Sequence, residues 1–428
     1  VRTTRIGCGA GFAGDRIEPA EDLLRRAGLA DLVLECLGER TVALAQLRRL
    51  ADPAAGYDHR LPARFARLLP LAVEHGVRVL TNMGAANPLA AGRVTRALLD
   101  RIGARAAVAV VTGDDVLAEI DLDAPAWENG VPLREHGEIV SANAYLGANA
   151  IAMALETGAD VVITGRVADP SLFLAPIAHR LGWDPGDVTT TAAGTLVGHL
   201  LECAGQLTGG YFADPGYQDV PDLARLGFPF ADVAADGTAE LGKLPGTGGV
   251  LSRATVREQL LYEITDPAAY RTPDVVLDVR AVTIDEHRGG VRVAGARGAP
   301  RPGRLKVSVG YRAGKKIEAE ISYVGPNAAA RAALAGEIVT TRLSGRPLRA
   351  EVLGGETDCR LRVAAISHED AVLDAIGDEV ESLYTNGPAG GGGVRVHIGE
   401  VLGIASTLIP RELVRPVVTV VEAADAAP

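Results

Sequence analysis

The chain has 428 residues, is 47% hydrophobic but only 4% aromatic, and carries a formal charge of −11 at pH 7. That length suggests two or three domains, with cores built from Ala, Val, Leu and Ile. The acidic balance without a basic stripe argues against nucleic acid as a main partner, although a local Arg cluster can still meet an anionic substrate.

Strand and helix signals alternate over the first ~265 residues, the pattern of parallel βαβ units. A short strand at 5–6 runs into a glycine-rich turn, and a helix-like segment follows at 20–27. Residues 31–36 read as a strand, 64–75 as a helix and 77–80 as a strand. Helical periodicity at 90–102 precedes a continuous apolar strand at 106–111. An Ala-rich helix at 143–157, a strand at 161–164 and a helix at 192–205 complete the series. Residues 209–229 read as loop, 236–249 as a polar turn region and 255–264 as a helix. From about 266 the pattern becomes a meander, with strands at 275–282, 291–294, 305–311 and 317–323, helices at 326–335 and 369–381, and a late strand at 415–421. The expected fold is α/β: a mostly parallel Rossmann-like sheet with helices on both faces over 1–268, then a smaller α+β domain over 269–428.

Apolar runs are too short to span a bilayer. The chain enters a strand at once, so no signal peptide is expected. Cys8, Cys36, Cys203 and Cys359 form no C-x-x-C pair, which supports neither a disulfide framework nor a zinc site. No His/carboxylate metal motif is present, so no metal is predicted. A soluble cytoplasmic protein, with a symmetric homo-oligomer as default, is the expectation.

Five stretches could carry chemistry. The opening loop GCGAGFAGDR (7–16) offers backbone amides of Gly9 and Gly11, with Asp15 and Arg16 beside them, as an anion cradle. It is neither G-x-G-x-x-G nor a P-loop, and only Glu35 stands where a ribose-binding carboxylate could be. The plainer reading is a tight turn. TNMGAANP (81–88) follows a buried strand and presents Asn82, Gly84 and Asn87 where ligands bind in open α/β sheets, or the asparagines simply cap turns. In TGRVADPS (164–171), Arg166 could grip a phosphate or carboxylate and Asp169 could move a proton; equally, the two could form a structural ion pair. His199, Glu202 and Cys203 share a helix face. The imidazole could generate a thiolate or act with Glu202 as acid and base, or the Cys is a small buried hydrophobe. Gln206 and Tyr211 follow in a polar loop. NGPAGGGG (386–393), with Asn386 and Gly390, is a second cradle or a flexible turn.

Taken together, IGCGAGFAGDR (6–16), LVLECLGERT (32–41), TNMGAANP, GADVVITGRVADPSL (158–172), HLLECAGQLTGGYFADPG (199–216), EQLLYEITDP (258–267) and NGPAGGGG resemble the acyclic terpene utilisation (AtuA-like) family. The resemblance implies catabolism of geraniol- and citronellol-type terpenoids through carboxylated acyl-CoA thioesters, or a related acyl-CoA or secondary pathway. Some members carry a further small C-terminal domain, which this chain is expected to lack beyond about Glu422. The resulting expectation is a lyase or hydratase acting on a branched acyl thioester. No cofactor is needed beyond the CoA or phosphopantetheine of the substrate. The alternative is a non-catalytic partner of an acyl-CoA carboxylase or carrier protein.

Overall fold

The computed structural model describes residues 2–422; the expectation about a missing C-terminal domain bears on residues outside these. In chain order the first elements are β1 (Thr3–Ala10), α1 (Glu18–Arg26), β2 (Asp31–Leu34), α2 (Glu39–Ala51), α3 (Leu61–His75), β3 (Arg78–Thr81), α4 (Pro88–Arg101), β4 (Val108–Thr112), β5 (Ile139–Ala144), α5 (Ala148–Leu155), β6 (Val161–Thr164), α6 (Ser171–Leu181) and α7 (Val188–Leu201). There follow β7 (Pro229–Ala234), β8 (Ala239–Lys243), α8 (Arg253–Leu261), β9 (Tyr270–Arg271), β10 (Val276–Asp278), β11 (Thr283–His287), β12 (Gly290–Ala294) and β13 (Arg297–Ala299). The last are β14 (Arg304–Val324), α9 (Ala328–Arg342), β15 (Arg349–Gly354), β16 (Asp358–Ser367), α10 (Asp370–Asn386), β17 (Gly391–Pro410) and β18 (Val417–Val421).

These elements form two compact units. The first comprises Val1–Asn129, Ser141–Val309 and Ser406–Pro428; the second comprises Gly130–Val140 and Gly310–Ala405. In the second unit the antiparallel strands β15, β16 and β14 continue to β17. Apolar residues of α9 and α10 pack with Ile317, Ile321, Tyr323, Leu361 and Val363 into its core.

The first unit holds a ten-stranded sheet in the order β11-β12-β8-β7-β1-β2-β3-β6-β4-β18. Its centre is parallel: β1 with β2, β2 with β3, β3 with β6, and β6 with β4. Every other pairing is antiparallel. The sheet is therefore mixed, which corrects the expectation of a mostly parallel one. The β7–β8 hairpin spans 229–243, where the sequence reads as loop up to 229 and as a polar turn region from 236, and β11–β12 adds a second hairpin beside it. Short turns join antiparallel neighbours without a crossover helix, so strand–helix alternation in the sequence was blind to them. The parallel order β1-β2-β3-β6-β4 is also not the 3-2-1-4 order of a doubly wound sheet.

Burial explains the central strands. All residues of β2 (DLVL) and β6 (VVIT) are buried, as in parallel strands covered on both faces. Gly7 and Gly9 lie inside β1 rather than in a turn, because side chains fill the space above them. A Cβ at Gly7 would stand 2.7 Å from Leu29 Cδ1, and one at Gly9 would stand 2.7 Å from Leu34 Cδ2. Helix α3 closes on Gly76 at φ 65° and α6 on Gly182 at φ 69°, the left-handed stop that glycine adopts without penalty.

Helices α1, α3 and α4 pack on one another, as do α5, α6 and α7. Right-handed crossovers place these two groups on opposite faces. The connections after β3 and β6, which are neighbours, thus diverge to different faces.

Gly84 lets the loop after β3 approach the end of β6, since a Cβ there would lie 2.4 Å from the Thr164 carbonyl oxygen. Gly84→Ala should therefore cost about 1–3 kcal/mol through backbone displacement. Denaturant melts of the two proteins measure this, and an unchanged midpoint would show that the loop has slack.

Candidate active site

A cavity of about 790 Å³ lies at the carboxyl-end edge of the first unit's sheet. Its walls include Arg166, Ala168, Asp169 and Pro170 from the loop after β6, Glu39 from the start of α2, Tyr145 from the segment before α5, Tyr270 from β9 and Lys306 from β14.

Arg166 organises this wall. Its side chain is 2% exposed. Nη1 donates to Asp169 Oδ1 at 2.7 Å and to the Leu37 carbonyl, and Nη2 reaches Asp169 Oδ2 at 3.4 Å. The guanidinium lies 4.1 Å from the centre of the Tyr145 ring, a cation–π contact strengthened by desolvation. The backbone is pinned too: Arg166 N–H donates to Asp114 Oδ2 at 2.9 Å, and Asn143 Nδ2 donates to the same oxygen at 2.9 Å.

The Lys306 ammonium also stands near Tyr145, 4.8 Å from the ring centre. The Tyr145 hydroxyl donates to Glu39 Oε1 and accepts from Ser308 Oγ at 3.3 Å, while Lys306 Nζ reaches Glu39 Oε1 at 3.2 Å. Burial alone would raise the Glu39 carboxyl. The Arg166 charge, the Tyr145 hydroxyl and Lys306 outweigh burial and hold it down at about 2. Glu39 is therefore ionised, and its place in the first turn of α2 favours the negative charge.

Behind the wall sit carboxyls of the opposite character. Glu35 is buried, and its Oε1 accepts from Asn82 Nδ2 at 2.8 Å and from Leu37 N–H at 2.9 Å. Asn82 in turn accepts from Cys36 N–H at 2.7 Å. Burial, then the Asp169 charge, push the Glu35 carboxyl up to about 8. Burial also raises Asp169, against the pull of Arg166. Carboxyls with pKa values driven apart in one site are the raw material of acid–base catalysis.

His199 and Glu202 form a second buried pair. Nδ1 and Glu202 Oε1 are 3.0 Å apart, and Nε2 is 3.2 Å from the Leu260 carbonyl oxygen. Burial lowers the imidazole to about 4, and burial with the Asp169 and Glu263 charges raises Glu202 well above the carboxylate range. A carbonyl oxygen can only accept, so Nε2 carries the ring proton. Nδ1 is then the acceptor, and a protonated Glu202 donates to it. This pair stands one layer back: the His199 ring is 5.3 Å from the ring of Tyr270, which lines the cavity. Cys203 is not the partner of this imidazole. Burial and the Glu202 charge push its thiol up, away from the thiolate that nucleophilic attack requires.

The other residues singled out in the sequence are placed differently. The opening loop serves its own chain: Asp15 Oδ2 accepts from Gly11 N–H at 2.8 Å and Phe12 N–H at 3.1 Å. Those amides already hold an anion, the Asp15 carboxylate. A Cβ at Gly11 would stand 2.3 Å from the Cys203 carbonyl carbon, so this glycine permits packing. Arg16 donates to the Leu223 and Ala224 carbonyls at 3.1 and 3.0 Å. Asn87 caps α4 through Ala90 N–H and donates to the Pro53 and Ala55 carbonyls. Gln206 and Tyr211 line a separate hollow of about 50 Å³. In the second unit, Asn386 donates to the Ser382 carbonyl at 3.1 Å, and Gly390, at φ 74°, lies beside Arg331. The main-chain cradle expected from the opening loop is therefore not what lines the cavity; side chains line it.

Glu39, Tyr145, Tyr270 and Lys306 were missed in the sequence. Lys306 had a faint signal, as one of four lysines among 43 basic residues.

Residues 4–420 match the family model of the acyclic terpene utilisation family protein AtuA. The chain belongs to the acyclic terpene utilisation family. Membership implies a role in acyclic terpene utilisation. No curated protein and no solved structure matched the chain. No helix among the described residues of this family member is long and apolar enough to cross a membrane.

The buried carboxyls make stability depend on pH. Glu35 rises from an ordinary 4.5 to about 8 on folding. Its contribution is complete below the unfolded value and is lost as pH climbs through the folded one. His199 acts at the other end: falling from 6.5 to about 4, it adds stability above 6.5 that is lost as pH drops toward 4. From pH 7 to 8.5 the imidazole is silent, so the slope comes from groups with raised values, carboxyls such as Glu35 first and the buried thiols toward the upper end. The wild-type chain should lose about 1 kcal/mol over that interval through Glu35, and Glu35→Gln should have a correspondingly shallower profile. Melting temperatures at the two pH values, with parallel slopes for both proteins, would contradict a protonated Glu35.

Proposed function

We propose that this chain is a lyase or hydratase acting on a branched acyl thioester within terpenoid-like or secondary metabolism. The observation that carries the reading is the position of Asp169. Its carboxyl is in the cavity wall, raised by burial, and clamped by the fork of a buried Arg166 that also backs Tyr145.

The residues suit addition of water to an enoyl thioester, or its reverse. Asp169 accepts a proton from water as the oxygen adds to Cβ. The electron pair moves through Cα to the thioester oxygen, making an enolate. Lys306, whose ammonium keeps N–H groups beyond the one turned to Glu39, is the cavity-lining donor for that oxyanion. The proton held by Asp169 then passes to Cα, and the carboxylate is regenerated. Apolar lining from Trp127, Pro170, Pro273, Leu305 and Leu408 supports a branched hydrocarbon chain. CoA or phosphopantetheine enters as part of the substrate.

The test is a panel of branched enoyl- and 3-hydroxyacyl-thioesters incubated with the purified chain, with products resolved by mass. Turnover of at least one member is expected, with kcat reduced about 10²–10⁴-fold in Asp169→Asn. A panel without turnover, or a variant with full kcat, overturns the reading.

A further inference from the structure

The first unit has a second charged hollow, of about 670 Å³, at the opposite edge of its sheet. It is an open depression at the amino-terminal ends of β1, β2 and β3. Its lining includes Arg2, Arg5, Arg78, His179, Arg180 and Asp232. Four guanidinium groups share this hollow on a chain whose formal charge is −11, and each needs an account.

Two of them are satisfied within the fold. Arg5 makes a fork to Asp232, with Nε at 2.7 Å and Nη2 at 2.6 Å, and Nη1 donates to the Ala27 carbonyl at 2.7 Å. Arg180 makes a fork to Asp31, with Nε at 2.5 Å and Nη2 at 3.1 Å, and also reaches the Ala30 carbonyl. These bonds tie the start of β1 to β7 and the end of α6 to β2.

Arg78, the first residue of β3, is different. Its side chain is 16% exposed, and Nη1 stands 3.6 Å from Asp31 Oδ1, beyond hydrogen-bond length. That oxygen already accepts from Arg180. Nη1 is buried and has no hydrogen-bond partner among the described residues. A buried donor left without an acceptor costs free energy that a ligand can return.

The electrostatics agree. Burial, opposed by the pull of Asp31 and assisted by the smaller push of Arg180, leaves the Arg78 guanidinium below its ordinary value. Burial, then Arg78 and Arg180, lower His179, so the imidazole is neutral there. Asp160 also attracts Arg78 and Glu156 attracts His179, but Asp160 Oδ2 is occupied by Ala107 N–H at 2.8 Å. Arg2 is exposed and lines the hollow, where a flexible guanidinium can close over an anion.

We infer that this hollow binds a phosphate group, with Arg78 as the buried donor and Arg2 as the lid cation. A tetrahedral dianion offers the several acceptors that guanidinium donors require. The hollow falls within the ~300–1,000 Å³ range of small-molecule sites, so the phosphate can be free or the phosphomonoester of a larger ligand. The site is independent of the proposed chemistry at Asp169, which lies at the other ends of the strands.

The experiment is calorimetric titration of the purified chain with inorganic phosphate and, separately, with adenosine monophosphate, at constant ionic strength with chloride as control. The expected result is saturable binding of at least one probe, weakened about tenfold or more in Arg2→Gln and Arg78→Met and retained in Asp169→Asn. Tighter binding of the monophosphate would identify a phosphomonoester; equal or tighter binding of inorganic phosphate would identify the free ion. Arg2→Gln, an exposed change, keeps the test valid if Arg78→Met does not fold. No binding of either probe, or binding that both arginine variants leave intact, overturns the assignment.

Discussion

The buried guanidinium of Arg166 is the charge around which the first unit's cavity is arranged. It is almost fully withdrawn from water, and its Nη groups donate to Asp169 and the Leu37 carbonyl while its face lies on Tyr145. Removing one member of such a pair leaves an uncompensated buried charge, which typically costs about 3–5 kcal/mol. The loop after β6 presents Asp169 from a backbone that Asp114, just past the end of β4, holds at the Arg166 N–H. Structure and candidate chemistry therefore share one residue. The ion pair that fixes the loop is also the pair that tunes its carboxyl, so the two readings of TGRVADPS merge.

Protonation completes the balance. Arg166 and Lys306 supply two positive charges to the inner cavity, and Glu39 and Asp169 match them when ionised. Glu35 and Glu202 are pressed from behind by burial and by the Asp169 charge, and they remain protonated at neutral pH. Charging either would place another anion in low dielectric without a counter-ion, which is why burial resolves the excess by shifting pKa rather than by expelling the residue. The neutral His199 fits the same logic, because only a protonated Glu202 can donate to its Nδ1.

Some of this was legible in the sequence. Strand–loop positions predicted that Asn82, Arg166 and Asp169 would gather at strand ends, and His199 with Glu202 shared a helix face as their spacing required. Local patterns carry that information because each residue follows directly from its own element. Glu39, Tyr145 and Lys306 come from a helix start, an irregular segment and a distant strand. No local period links them, and only the folded sheet brings them together. The glycine-rich opening was misread for a related reason. Glycines signal that backbone must approach something closely, but not whether that something is a ligand. Here it is Leu29, Leu34 and the Cys203 backbone, and the acceptor for the loop amides was present as Asp15, four residues after Gly11. The β7–β8 hairpin escaped notice, although β12 fell within the expected meander, because short strands joined by tight turns lack the long helical intervals that made the parallel core visible.

The replacement of an amide cradle by side chains changes what the cavity can do. Backbone N–H groups stabilise an oxyanion equally at every pH and cannot hand over a proton. Lys306, Tyr145 and Asp169 can donate or accept, and their capacity depends on the charge of their neighbours. A site built this way gains acid–base chemistry and gives up insensitivity to pH. It also depends on the walls that keep water from Arg166, since the same charges in open solvent would be screened to a fraction of their strength. The apolar side chains around the cavity thus serve the charged ones: by lowering the local dielectric, they set the protonation states on which any proton transfer at Asp169 relies.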